Sequence, residues 1–150
     1  MIHIRGNILH VTRGIICHQV NAKGVMSSSL ALRIKQKWPA VFTDYSLQHR
    51  EKCLTVGTII FTNIIPGDYK LQVASMCAQH DYGTGYNKVY IDYEAFEECL
   101  KKLQRWHTSC IGGKLPIYFP FKIGCGLAGG DWTVIQPMIE KYFPNAIIMK

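Results

Sequence analysis

No two cysteines in this sequence form a C-x-x-C pair. The six lie apart, at positions 17, 53, 77, 99, 110 and 125, which is not the spacing of a zinc knuckle or a redox pair. Four of them, Cys17, Cys53, Cys77 and Cys99, fall in segments that otherwise read as buried strand or helix. They are read as reduced core thiols rather than a disulfide framework. No metal-ligand spacing appears elsewhere, so neither a metal nor a cofactor is expected. No apolar run approaches the roughly 20 residues that cross a bilayer. The first residues, Met1-Ile2-His3-Ile4-Arg5-Gly6, lack the charged head and long apolar stretch of a signal peptide. A soluble, cytoplasmic protein with no membrane partner is the expectation. Low-complexity tracts, repeats and linkers are also missing, so residues 1–150 read as one globular domain.

Acidic residues are scarce, 10 against 17 Lys and Arg, which leaves a net charge of +7. A basic surface favours anionic partners such as nucleotides, nucleic acid or phosphorylated small molecules. The cations form no run with interleaved aromatics of the sort that holds single-stranded nucleic acid. Arg33, Lys35 and Lys37 share one predicted helix, and Lys101, Lys102 and Arg105 another, as solvated faces.

What is present is a strict alternation of elements. Apolar runs predict strands at 2–5, 14–20, 58–64, 70–77, 115–121 and 146–149, the central ones continuous enough to be buried on both faces. Helical spacing predicts helices at about 28–38, 40–52, 93–107 and 133–143, with Asp92 capping the third and Trp38-Pro39 separating the first two. This order implies one sheet with helices on both faces, and ligands bound outside the carboxyl ends of its strands.

Three loops leave those strand ends. Lys122-Ile123-Gly124-Cys125-Gly126-Leu127-Ala128-Gly129-Gly130-Asp131-Trp132 runs from a strand to a helix start. Its glycines let backbone N–H groups face a ligand, and the helix end adds partial positive charge, a combination suited to a phosphate or diphosphate. A thiol at Cys125 has no sequence-adjacent base to activate it. The second loop, from Asn21 through Lys23, Gly24, Val25 and Met26 to Ser27, Ser28 and Ser29, sets a side chain that can donate and accept beside a glycine and three hydroxyls. Its bland alternative is a capped turn followed by a capped helix. The third, Gln79-His80-Asp81-Tyr82-Gly83-Thr84-Gly85-Tyr86-Asn87, offers Tyr82 or Tyr86 as a cover for a ribose or base. His80 and Asp81 are adjacent and point apart in an extended loop, so they do not make a dyad.

Two residues carry alternative readings. His18 is either a hydrogen-bonded core histidine or a residue at the pocket floor able to exchange a proton near neutral pH. Asp131 is either the N-cap of the last helix or a free carboxylate. Capping there would put Pro137 beyond the first four helical positions, where proline loses a hydrogen bond. A helix starting at the capping box Thr133-Val134-Ile135-Gln136 avoids that loss. The second arrangement is the expected one, with Asp131 in the loop addressing a sugar or water rather than the phosphates.

On these motifs the whole chain resembles the macro domain family, the ADP-ribose-binding modules. Gly6-Asn7-Ile8 is similar to the family's Gly-Asp/Asn-Ile, the 18–31 segment to its asparagine and glycine loop, and 123–132 to its diphosphate loop. The resemblance implies a three-layer α/β/α sandwich around a mixed sheet of about six strands. It places Asn7 and Ile8 near the adenine, and Asn21 at the distal ribose with Lys23, Gly24, Val25, Met26, Ser27 and Ser28 around it. Gln79 and Tyr82 belong to the same binding set, and Gly124, Cys125, Gly126 and Leu127 lie at the diphosphate. Asp131 is similar to an aspartate found in some members beside the distal ribose, and Asp131 or His18 is the catalytic candidate to handle the proton of an attacking water. Departures are visible: Ser27-Ser28-Ser29 replaces a glycine triplet, Asn7 replaces an aspartate, and Ala78-Gln79-His80-Asp81 lacks the lysine that some hydrolases use as a nucleophile. The implied function is hydrolysis at the distal ribose C1″, with ADP-ribose 1″-phosphate the first substrate. The alternatives are removal of ADP-ribose from modified protein or nucleic acid, and a non-catalytic reader of ADP-ribosylated macromolecules.

Overall fold

A computed structural model describes residues 1–27, 29–82, 89–110 and 113–150, without the side chain of Cys110. Ser28, Tyr86 and the rest of 83–88 therefore lie outside the described residues. Among those described, the strands are β1 (Ile2–Ile4), β2 (Gly14–Asn21), β3 (Ile59–Ile65), β4 (Asp68–Gln79), β5 (Ile117–Pro120) and β6 (Ile147–Met149). The helices are α1 (Ser29–Lys37), α2 (Pro39–Arg50), α3 (Tyr93–Cys110) and α4 (Trp132–Tyr142). None of them is long and apolar enough to cross a membrane.

The strands form one sheet in the order β1-β6-β5-β2-β4-β3. All neighbours are parallel except β3, which returns antiparallel along β4. Period-two alternation divides the side chains of the central strands between two cores. Ile15 and Cys17 of β2, with Ala74, Met76 and Ala78 of β4, join Phe96, Leu100 and Leu103 of α3 and Ile135 and Ile139 of α4. Ile16 and Val20, with Leu71, Val73 and Cys77, join Ile34 of α1 and Val41 and Tyr45 of α2. The result is helices, sheet, helices, as expected of continuous apolar strands that need cover on both faces.

Local chemistry sets the breaks. Trp38, held extended before a proline, ends α1, and Pro39 opens α2 at a position where a missing N–H costs nothing. Asp92 Oδ1 accepts from Ala95 N (3.0 Å) and caps α3 as expected. Cys17, Cys77 and Cys99 are buried, and burial pushes the thiols of Cys77 and Cys99 up to about 12. Cys53 corrects the reading of a buried thiol: it falls past the end of α2 and is exposed. Phe121, read as the end of a strand, instead follows β5 and stands out at the loop entrance.

Candidate functional site

The carboxyl ends of β2, β4 and β5 open into a cavity of about 520 Å³, within the range of small-molecule sites. Its walls come from the three loops singled out in the sequence. Asn21, Val25 and Ser27 stand on one side, Gly124, Gly126, Leu127 and Ala128 on another, and Gln79 and Tyr82 at the end of β4. Ser29, Leu30 and Ala31 at the start of α1 add to the first wall, and Pro120, Phe121, Lys122 and Ile123 lead into the second.

The Asn21 wall is held by side-chain bonds. Asn21 Nδ2 donates to Val25 O (2.8 Å), and its Oδ1 accepts from Lys23 N (2.9 Å) and Val25 N (3.4 Å). The Tyr45 hydroxyl, fully buried, donates to both Asn21 O (2.6 Å) and Asn21 Oδ1 (2.9 Å). Burial raises the Tyr45 hydroxyl's pKa, so it stays protonated as the donor. One Nδ2 hydrogen of Asn21 remains for a ligand.

The glycine wall is held mainly by backbone bonds: Cys125 N to Lys122 O (2.9 Å), Gly129 N to Gly126 O (3.0 Å) and Gly130 N to Gly124 O (2.8 Å). Lys122 and Gly124 both take positive φ, +57° and +74°. A Cβ on Gly124 would sit 2.7 Å from Ile91 Cδ1 and 2.8 Å from Gln19 Oε1, so only glycine fits there. The amides of Gly124, Gly126, Leu127 and Ala128 donate to no described residue. Consecutive unpartnered N–H groups lining a cavity bind anions.

Two buried polar atoms at the cavity also lack partners, Gln19 Oε1 and His18 Nδ1. Gln19 Nε2 donates to Gln79 Oε1 (2.7 Å), and Gln79 Nε2 to Asp81 O (2.8 Å), which fixes the end of β4. Gln19 was not singled out in the sequence. It alternates with His18 in the pleat, and only the packing shows that Gln19 lies against the glycine loop.

His18 is buried, with Nε2 2.7 Å from Ser75 Oγ. Burial pulls its pKa down to about 3. His18 is thus bonded in the interior and also lines the cavity floor, and its surroundings disfavour the imidazolium that proton exchange near neutral pH would need. The expected place of Asp131 is corrected. It is the N-cap of α4, its Oδ1 accepting from Thr133 N (2.9 Å) and Thr133 Oγ1 (2.7 Å). The helix begins at Trp132 and carries Pro137 inside it. A cap that satisfies an orphan N–H and a hydroxyl together offsets the one bond that proline removes. These Thr133 bonds lower the carboxyl pKa. Asp131 is exposed and does not line the cavity.

Other expected contacts are also placed elsewhere. Asn7 Oδ1 accepts from Leu9 N (3.0 Å) in a short 3-10 turn, Ile8–His10, and Ile8 is a core residue. Met26 is 1% exposed and packs in the α1–α2 core. Gly24 backs onto the His49 ring, and Lys23 is a surface residue. Cys125 turns its Sγ to Ile123 O, and burial and then Asp131 raise its pKa. None of these lines the cavity. His80 pairs not with Asp81 but with Asp92, at 3.0 Å. Among the described residues, no group of three His, Cys, Asp or Glu side chains is placed to hold a metal ion. Phe121, exposed at the rim and edge-on to Trp132 at 5.3 Å, was hidden in the sequence at the end of an apolar run.

No family model matches the sequence, and no curated protein does. Solved structures do match. A Bacteroides thetaiotaomicron protein of unknown function is 27% identical over 99% of this chain and 95% of its own, with a TM-score of 0.84. The macrodomain of Mycobacterium tuberculosis DarG is 18% identical over 99% of this chain and 95% of its own, with a TM-score of 0.81. Thermosipho africanus DarTG, solved in complex with ADP-ribose, is 18% identical over 99% of this chain and 41% of its own, with a TM-score of 0.78. With its mixed six-stranded sheet between two helical layers, the chain has the macrodomain fold.

Proposed function

We propose that the cavity binds ADP-ribose or a derivative of it, with the diphosphate on the glycine loop. The observation that carries this reading is the set of amides at Gly124, Gly126, Leu127 and Ala128, which line the cavity without a protein acceptor among the described residues. A diphosphate supplies the missing acceptors, and Lys122 adds a cation in the same wall. The remaining Asn21 hydrogen suits a ribose hydroxyl as donor. Phe121 and Tyr82 offer rings for a base or sugar. The ADP-ribose complex of Thermosipho africanus DarTG, a protein of the same fold, supports the ligand class.

The chemistry we assign is hydrolysis at the distal ribose C1″, with ADP-ribose 1″-phosphate the first substrate, giving ADP-ribose and inorganic phosphate. The same bond position serves removal of ADP-ribose from a modified protein or nucleic acid. Asp131 is the candidate base. It is ionised at neutral pH, and Thr133 engages only its Oδ1, which leaves Oδ2 for a water. His18 takes no proton in this scheme and shapes the floor instead. One observation favours a reader that binds without turnover: no carboxylate is among the described residues lining the cavity.

Calorimetry with ADP-ribose tests the binding reading, and release of phosphate from ADP-ribose 1″-phosphate tests the enzyme. Asp131→Asn is the right variant, because asparagine caps a helix as well as aspartate does while removing the charge. It is expected to keep ADP-ribose affinity and lose most turnover. Undiminished turnover removes Asp131 from the mechanism. ADP-ribose binding without any phosphate release, and without release of ADP-ribose from modified protein or nucleic acid, establishes the reader.

A further inference from the structure

The sheet ends in two different edges. β1 at one end has three residues. β3 at the other has seven, Ile59-Ile60-Phe61-Thr62-Asn63-Ile64-Ile65, with no charge, proline or glycine among them. Long uncharged edges lack the usual guards against pairing with another strand. The backbone phase of β3 is set at its start, where Cys77 N donates to Thr58 O (2.8 Å). Bonded pairs alternate along an antiparallel ladder. Ile60 and Thr62 therefore bond to Ser75 and Val73, and the N–H and C=O groups of Ile59, Phe61 and Asn63 point away from the sheet. No described residue pairs with that outer side.

The strand is also close to a palindrome about Thr62. Read outward from that residue, Phe61 stands against Asn63, while Ile60 repeats as Ile64 and Ile59 as Ile65. We propose that β3 pairs antiparallel with β3 of a second copy of this chain across a two-fold axis at Thr62, joining the two sheets into one. A two-fold interface requires a surface complementary to itself, and this register sets isoleucine opposite isoleucine at both ends. It also sets outward-facing residues opposite one another, Phe61 against Asn63 of the partner subunit, so their free amides and carbonyls meet.

A cleft of about 650 Å³ runs along the same edge, lined by Phe61, Thr62, Asn63, Tyr69, Gln72 and Trp106 among others. The Trp106 ring stacks on Phe61 at 4.7 Å, and its Nε1 is buried without a partner. The pairing brings a carboxamide, from Asn63 of the partner subunit, beside Phe61. It also brings the Asp68 turn of one copy to the other's Gly57, where Lys102 Nζ donates to Gly57 O (2.7 Å), so opposite charges face each other at the ends. The edge lies at the side of the sheet, away from the cavity at the strand ends, and a dimer so built leaves both cavities open.

Sedimentation equilibrium of the full chain, over a concentration series reaching on the order of 0.1 mM, tests this. The wild type is expected to double in mass. Asn63→Pro removes an outward N–H without touching the ladder to β4, and Asn63→Lys adds two like charges to the seam while keeping the backbone. Both are expected to sediment as monomers, with far-UV circular dichroism and ADP-ribose affinity unchanged. A wild type that stays monomeric across the series overturns the pairing, and so does a dimer equally tight in Asn63→Lys. If Asn63→Pro fails to fold, Asn63→Lys decides alone.

Discussion

Two loops face each other across the cavity, and they are held in opposite ways. The Asn21 loop is fixed by one carboxamide and one buried hydroxyl, which use most of their hydrogen-bonding capacity inside the protein. The glycine loop is fixed by backbone bonds and by residues at positive φ, and it leaves amides unused. The first is a former, satisfied by bonds inside the protein. The second leaves amides without acceptors among the described residues, and in the proposed function it is a receptor, a diphosphate supplying them. A polar residue in a loop beside a cavity is thus not by that fact a ligand contact; what counts is the capacity left after its internal bonds.

The sharpest way to break this contrast is Gly124→Ala. The added methyl meets Ile91 and Gln19, and the residue is held at a φ that side chains disfavour. Strain of this kind costs about 1–3 kcal/mol, and the displaced amides should lower ADP-ribose affinity by more than roughly tenfold, or 1.4 kcal/mol. Thermal melting and calorimetry read the two effects separately. Retained affinity in a folded variant would mean that the diphosphate is held elsewhere.

Beneath both loops, His18 provides a pH-dependent test. Its folded pKa is near 3, below its ordinary value of about 6.5. The unfolded chain therefore binds the proton first, and stability is lost as pH falls from about 6.5 toward 3. His18→Gln removes that linkage while keeping a group that can bond to Ser75. The stability gap between wild type and variant should shrink or invert on acidification from pH 7 to pH 4, measured by denaturant titration. A constant gap would show that the imidazole is not buried in its neutral form.

The smallest expected effect lies on the former. Tyr45→Phe removes the hydroxyl that braces Asn21 and leaves the ring in place. A loss of about 1–2 kcal/mol is expected in a denaturant melt, with ADP-ribose affinity reduced only a few-fold. An affinity loss as large as that of Gly124→Ala would merge the two roles and undo the distinction between former and receptor.

The separation of roles also explains which parts of the site were legible in the sequence. Glycines at a strand-to-helix junction announce a backbone receptor, because only glycine frees the amides there, and Gly124, Gly126 and Leu127 do line the cavity. Side-chain contacts read less well. Met26 and Gly24 sit in the right loop but point to the core and to His49, and no local pattern marks Gln19, whose Oε1 is buried against Gly124. Asp131 reads in the sequence as a loop carboxylate because Pro137 opposes a helix start there, whereas the cap draws its strength from Thr133 supplying both its amide and its hydroxyl.

By itself, the sequence determined the alternation of strands and helices, the double-sided burial of β2 and β4, the breaks at Trp38-Pro39 and Asp92, and the glycine loop. Each of these follows from periodicity or from a backbone preference that acts within a few residues. The tertiary structure alone decided that β3 returns antiparallel as the sheet's edge, that Tyr45 reaches Asn21 across 24 positions, and which of two neighbouring residues, His18 or Gln19, turns an unmet polar atom toward Gly124. Those outcomes depend on which surfaces meet after the chain has closed. Hydrogen-bond satisfaction in a packed interior is a property of that closure and not of any short stretch of residues.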